Sequence, residues 1–268
     1  MKRTVTFATA LLFTFLSCEY PNYQEIKKPE AIRNIDYTPA ASTIEEAKSP
    51  CPSDMKLIEG DYCTNVNQIC IKYLEDPKTN PRARCAEFAP STCNSKKKSM
   101  SYCIDTEEFS TNNEGKPISN ISWTQAKSIC EANSKRLCTE SEWTFACEGQ
   151  KEPLPYPTGY KRPSDICNID MTQNIVCGNQ LCNHSSDIKD NPLCISSFGV
   201  HNMIGSIDEW VILDKTHYHS KTNEKMNSGL KGGWWGPLRN NCFAVTVDHD
   251  EHFKEEQTGF RCCADTEK

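Results

Sequence analysis

Beyond Leu16 this 268-residue chain has no long apolar run, so no later segment is a candidate to span a membrane. Hydrophobic residues make up only 37% of it and the mean hydropathy is -0.64. A thick apolar core is therefore not expected to be its main stabiliser. A clustered basic patch is missing too. The 30 Lys and Arg are outnumbered by 36 Asp and Glu, the net charge is -6 and the pI is near 5.6, which argues against nucleic acid as a partner. No internal repeat is present, so a repeat architecture is excluded.

Cysteine is what the chain has in excess. There are 17, and their spacing is not that of tight C-x-x-C metal pairs. Such a set belongs in an oxidising compartment, where disulfides supply the constraint that a thin core does not. The amino terminus agrees. Lys2 and Arg3 precede an apolar stretch, Val5 to Leu16, that is too short to remain as a membrane span. It ends in Phe15-Leu16-Ser17-Cys18, which resembles a bacterial lipobox with an unusual Phe at its first position. The expectation is a signal peptide over 1–17, lipidation at Cys18 and a Pro-rich charged tether over 18–50. Export to a bacterial membrane surface, periplasmic or external, follows. Setting Cys18 aside leaves an even number of thiols for disulfides.

The globular part, 51–268, is organised around Pro117 to Gly149. Two capping boxes open two short helices there, Ser122 with Gln125 and Thr139 with Glu142. Trp123, Ala126, Ile129 and Cys130 share a face of the first helix, and Trp143, Ala146 and Cys147 one of the second, so both read as amphipathic. Cys51 to Cys63 reads as a strand turned by Gly60. Residues 64–100, with Cys70, Cys85 and Cys93, read as a disulfide-pinned insertion. From 171 to 197 there is little secondary-structure signal.

Four separated motifs, SW…C…RL-x-TE-x-EW-x-x-AC, N-M-x-G-x-x-x-EW, GG-x-W and GFRC, fall in the order of one family. By them the chain resembles the formylglycine-generating enzymes, or sulfatase-modifying factors, over most of Cys51 to Cys263. The resemblance implies an α+β fold related to C-type lectins, with little regular secondary structure and long ordered loops. It implies a structural calcium ion at Asn202, Gly205, Ile207 and Glu209, a set whose oxygens suit a hard cation. It implies a bridge between Cys130 and Cys262 and makes Cys147 half of another. The extra thiols Cys138 and Cys263 each stand beside a family-type cysteine and are assigned to each other.

Gly232 to Cys242, GGWWGPLRNNC, is where the function turns. Active members hold copper between two cysteines that follow this Gly pair. Counting forward from the glycines puts Trp234 on the family's Ser, Pro237 on its first cysteine and Cys242 on its second. Counting back from GFRC makes Cys242 the structural partner of Cys147 instead. Either way copper is not expected, because soft Cu(I) needs both sulfurs, and Cys242 is left as a weak catalytic candidate.

The pairs His217-x-His219 and His249-x-x-His252 lie outside any HE-x-x-H run and are poor candidates for a catalytic zinc site. Two functions remain. One is a membrane-tethered module binding an unidentified peptide, protein or glycan, with Trp123, Trp234 and Trp235 as candidate groove residues. The other is an oxidoreductase of the formylglycine-generating or a related metal-dependent type.

Overall fold

In the computed structural model, residues 49–111 and 115–267 are described; they lie within the unit Ala47–Lys268. Cys18 and the tether fall outside the described residues. The strand Met55–Cys63 pairs antiparallel with Lys97–Asp105 along its whole length. Cys262–Ala264 and then Arg136–Leu137 extend this into a four-stranded sheet. A second four-stranded sheet runs in the order Val245–Thr246, Ser228–Lys231, Asp208–Ile212, Thr258–Gly259, with the last pair parallel. The fold is thus α+β, mostly sheet and loop, with two α-helices and one short 3-10 helix among the described residues.

Gly60 does not turn the first strand, contrary to expectation. It lies within the strand opposite Met100, and a Cβ there would come 3.3 Å from Phe145 Cζ. The missing side chain lets the second helix approach the sheet. The insertion is also shorter than expected, because its last residues, from Lys97, are the start of the partner strand. What remains is one small hairpin, Cys70–Tyr73 with Cys85–Phe88, nested inside the antiparallel pair Val66–Asn67 with Thr92–Cys93, the two pinned by Cys70–Cys85 and Cys63–Cys93.

Helix α1 (Trp123–Ala132) and helix α2 (Glu140–Glu148) both begin with complete capping boxes, at Ser122 with Gln125 and at Thr139 with Glu142. On α1, Trp123, Ala126 and Cys130 are buried, while Ile129 packs partly buried against them. On α2 the amphipathic reading fails, since all nine residues are buried. The charges of Glu140 and Glu142 are tolerated because they are matched. Glu142 takes a forked pair of bonds from Arg136, 2.8 and 2.6 Å, and Glu140 accepts from His217 at 2.8 Å.

All sixteen cysteines from Cys51 to Cys263 are bridged. Cys130–Cys262 and Cys138–Cys263 close segments of 132 and 125 residues and tie α1 and the α2 entrance to the final strand. Between 167 and 194 a bridge, with Cys177–Cys182 inside it, holds the stretch of sparse secondary structure. No helix among the described residues is long and apolar enough to cross a membrane.

Candidate functional site

The segment Asn202 to Ile207 is a tight turn feeding the strand Asp208–Ile212. Three of its residues have left-handed backbone, Asn202 (φ 51), Gly205 (φ 74) and Ser206 (φ 54). Only glycine fits at 205, because a Cβ would meet Asn168 O at 2.2 Å. Beyond the turn Glu209 enters the core beside Arg261, at 1% and 0% exposure. Arg261 Nε donates to Glu209 Oε2 and its second guanidinium nitrogen to Oε1, both at 2.7 Å. Trp143 Nε1 donates to Oε2 as well, at 2.8 Å. Arg261 further reaches the carbonyls of Asp105 and His201, at 3.3 and 3.0 Å. One buried arginine therefore knits both sheets, α2 and the turn.

Asn202 Nδ2 lies 3.3 Å from Glu108 Oε2, and Glu108 Oε1 is buried with no hydrogen-bond partner. Burial, reinforced by the negative Glu209, pushes the Glu108 carboxyl up to about 8. The donor types at this turn suit a hard cation: the Asn202 amide oxygen, the Gly205 and Ile207 carbonyls, and the lone pair that Arg261 leaves at Glu209 Oε1. The orphaned Glu108 oxygen beside Asn202 points the same way. Arg261 already neutralises Glu209, so an ion there would share that carboxylate with the guanidinium. Among the described residues no group of three or more His, Cys, Asp or Glu is arranged to hold a metal.

Cys242 is fully buried and bonded to Cys147 of α2. Its carbonyl accepts from Lys231 Nζ at 2.9 Å, and that ammonium lies 5.1 Å from the Trp143 ring centre. Among the described residues Lys231 has no carboxylate partner, and burial lowers it to about 7. Glu148, next to Cys147, is raised by burial to about 8. The bridge is enclosed in a tight, weakly charged interior and offers no thiolate.

The loop that follows the glycine pair folds back on itself. Gly233 (φ 69) leaves room for nothing larger, since a Cβ would lie 2.6 Å from Leu238 O. Its N–H donates to buried Asp208 Oδ1 at 3.1 Å, and Arg239 donates to Oδ2 at 2.6 Å. Asn240 Nδ2 closes the loop onto Trp234 O at 2.6 Å. Trp123, Trp234 and Trp235 are all buried, at 8%, 9% and 0% exposure. They pack the core, with Trp234 and Trp235 edge to face at 5.4 Å, and do not line a groove. Pro237 lines a cavity of about 320 Å³ between this loop and the insertion.

Arginines surround that cavity, and the sequence analysis passed over them. Arg84 and Arg162 share Asp170, at 2.6 and 2.7 Å; Arg84 also holds Glu75. Their signal, arginines scattered over 160 residues, has no local pattern. Of the histidines, His217 serves Glu140 and His249 stacks on Phe253 with ring centres 3.8 Å apart.

Fold and site together define a disulfide-built α+β domain, of the kind suited to an oxidising compartment, with no free thiol among the described residues. The family model for the sulfatase-modifying factor enzyme 1-like domain matches residues 65–266, and the chain belongs to that family. It is 26% identical over 165 residues to a formylglycine-generating enzyme of Mus musculus, covering 56% of this chain and 44% of that protein. It is 28% identical over 162 residues to the inactive Cα-formylglycine-generating enzyme 2 of Bos taurus, covering 55% and 50%. The chain thus matches about half the length of these curated relatives. The crystal structure of CarF superposes with a TM-score of 0.50 at 15% identity, over 80% of this chain and 98% of that one, and attests the fold.

Proposed function

We propose that this protein is a non-catalytic binding module of the sulfatase-modifying-factor family, exported and held at a membrane by lipid on Cys18. The observation that carries the first part is the Cys147–Cys242 bridge. Copper-dependent oxidation of a substrate thiol needs two free thiolates on the metal. Pro237 supplies no donor, and Cys242 gives its sulfur to Cys147. A family member described as inactive stands among the relatives. Incubation of the purified protein with Cu(I), oxygen and a cysteine-containing sulfatase-type peptide is expected to yield no aldehyde by mass spectrometry. Catalytic aldehyde formation that disappears in Cys242→Ser would restore the oxidoreductase reading.

Calcium enters as part of the same proposal, as a structural ion held by Asn202, the carbonyls of Gly205 and Ile207, and Glu209. Melting in calcium is expected to occur at a higher temperature than melting in chelator. An ion at 100 times its dissociation constant adds about 2.7 kcal/mol. Identical melts would remove calcium from the account.

A further inference from the structure

We propose that the cavity beside Pro237 binds an oxyanion, a carboxylate or sulfate ester, carried on a small exported ligand such as an acidic sugar. The proposal deepens the binding-module reading and rests on it. Four arginines line this one cavity, Arg82, Arg84, Arg162 and Arg239. The carboxylates paired with them number three: Glu75, Asp170 and Asp208. Asp170 is divided between Arg84 and Arg162, and Arg82 forms no ion pair among the described residues. A positive concavity in a chain of net charge -6 is not explained by composition.

Two further donors on the same wall are unused. Arg239 Nε and Gln68 Nε2 are buried and have no hydrogen-bond partner, which is costly unless something accepts from them. Arg239 is also held in the left-handed backbone region, φ 63, a strained conformation of the kind that clusters at ligand-binding sites. The paired acids take Nε, Nη1 and Nη2 of Arg84 and Nε and Nη2 of Arg162 and so hold both side chains in position; an incoming oxyanion is met by the donors left over, Arg239 Nε, Gln68 Nε2 and the Arg82 guanidinium. Arg82, on the exposed hairpin tip, is the group still free to close on it. Tyr73, 44% exposed, stands at the rim and presents an aromatic face of the kind that packs against a sugar ring or a flat carboxylate. A volume of about 320 Å³ is at the small end for ligand pockets and matches one monosaccharide-sized unit.

The test is calorimetric titration of the full protein with sodium sulfate, sodium glucuronate and neutral glucose, at constant ionic strength set by chloride. Saturable binding of sulfate and glucuronate, without binding of glucose, is expected. Arg82→Gln should weaken both at least tenfold with an unchanged melting temperature, because Arg82 holds nothing in the fold. A Lys98→Gln control should bind as the parent does. Tighter binding of glucuronate than of sulfate assigns the rim to the sugar; equal binding assigns the site to the oxyanion alone. No saturable binding above chloride, equal binding of glucose, or full binding by Arg82→Gln would each overturn the proposal. Aldehyde formation in the copper assay would overturn the binding-module reading whatever sulfate does. Silence in both experiments would overturn only the pocket.

Discussion

Arg261→Met is expected to destabilise the fold by about 3–5 kcal/mol in urea melts, the cost typical of stripping one partner from a buried ion pair. The residue is fully buried, and its charge is met by Glu209 at 2.7 Å on both carboxylate oxygens. Without it, and in chelator, Glu209 keeps one donor, Trp143 Nε1, and an uncompensated negative charge beside Glu108. Adding Glu209→Gln to Arg261→Met should recover part of the loss by removing that charge. The pair is a coupling point, so the two changes will not add. A loss below about 1 kcal/mol for Arg261→Met would mean that the arginine is dispensable and that the two sheets are held by packing alone.

Removing the Cys130–Cys262 bridge alone, by a double Ala substitution, is expected to cost about 2.5 kcal/mol, because Cys138–Cys263 still closes the long segment and leaves only about 9 residues between the two bridges. Removing both bridges leaves Cys147–Cys242 as the cross-link that still joins these segments, and is expected to cost about 6 kcal/mol. The Cys177–Cys182 bridge closes only 5 residues, and the same argument gives it about 2 kcal/mol. The deletions thus test whether chain entropy sets disulfide stabilisation here. Equal effects of deleting the parallel pair and deleting Cys177–Cys182 would contradict that ordering. The contrast matters because the apolar content is modest, so cross-links have to do what a larger core would otherwise do.

The local parts of this structure were legible in the sequence because they depend on neighbours a few residues apart. Ser122 with Gln125 and Thr139 with Glu142 announce both helix starts, and the GFRC and EW motifs announce the family. Where partners are distant, the pattern failed. The all-round burial of α2 was hidden because Glu140, Glu142 and Glu148 look solvent-facing until His217, Arg136 and a low-dielectric pocket are brought to them. Gly60 looked like a turn because its real reason, the Phe145 ring 85 residues away, is not local. The tryptophans looked like a groove for the same reason, and each is packed inside. The arginine cavity had no linear signature at all, since it joins residues from 68 to 241 through the fold.

The two counts across Gly232 to Cys242 could not be decided by counting, because a deletion in the loop moves the same cysteine between two roles. The structure decides for the role read backward from GFRC, with Cys242 joined to Cys147.

The central claim, that Cys242 is structural and the oxidase centre is gone, is tested most directly by peptide mapping of the exported protein without reduction. The account predicts that the peptide carrying Cys147 and the peptide carrying Cys242 elute as one species that separates only on reduction. It predicts no alkylation of Cys242 by a thiol reagent applied to the folded protein. A free, alkylatable Cys242, or a copper ion recovered with it, would contradict the account.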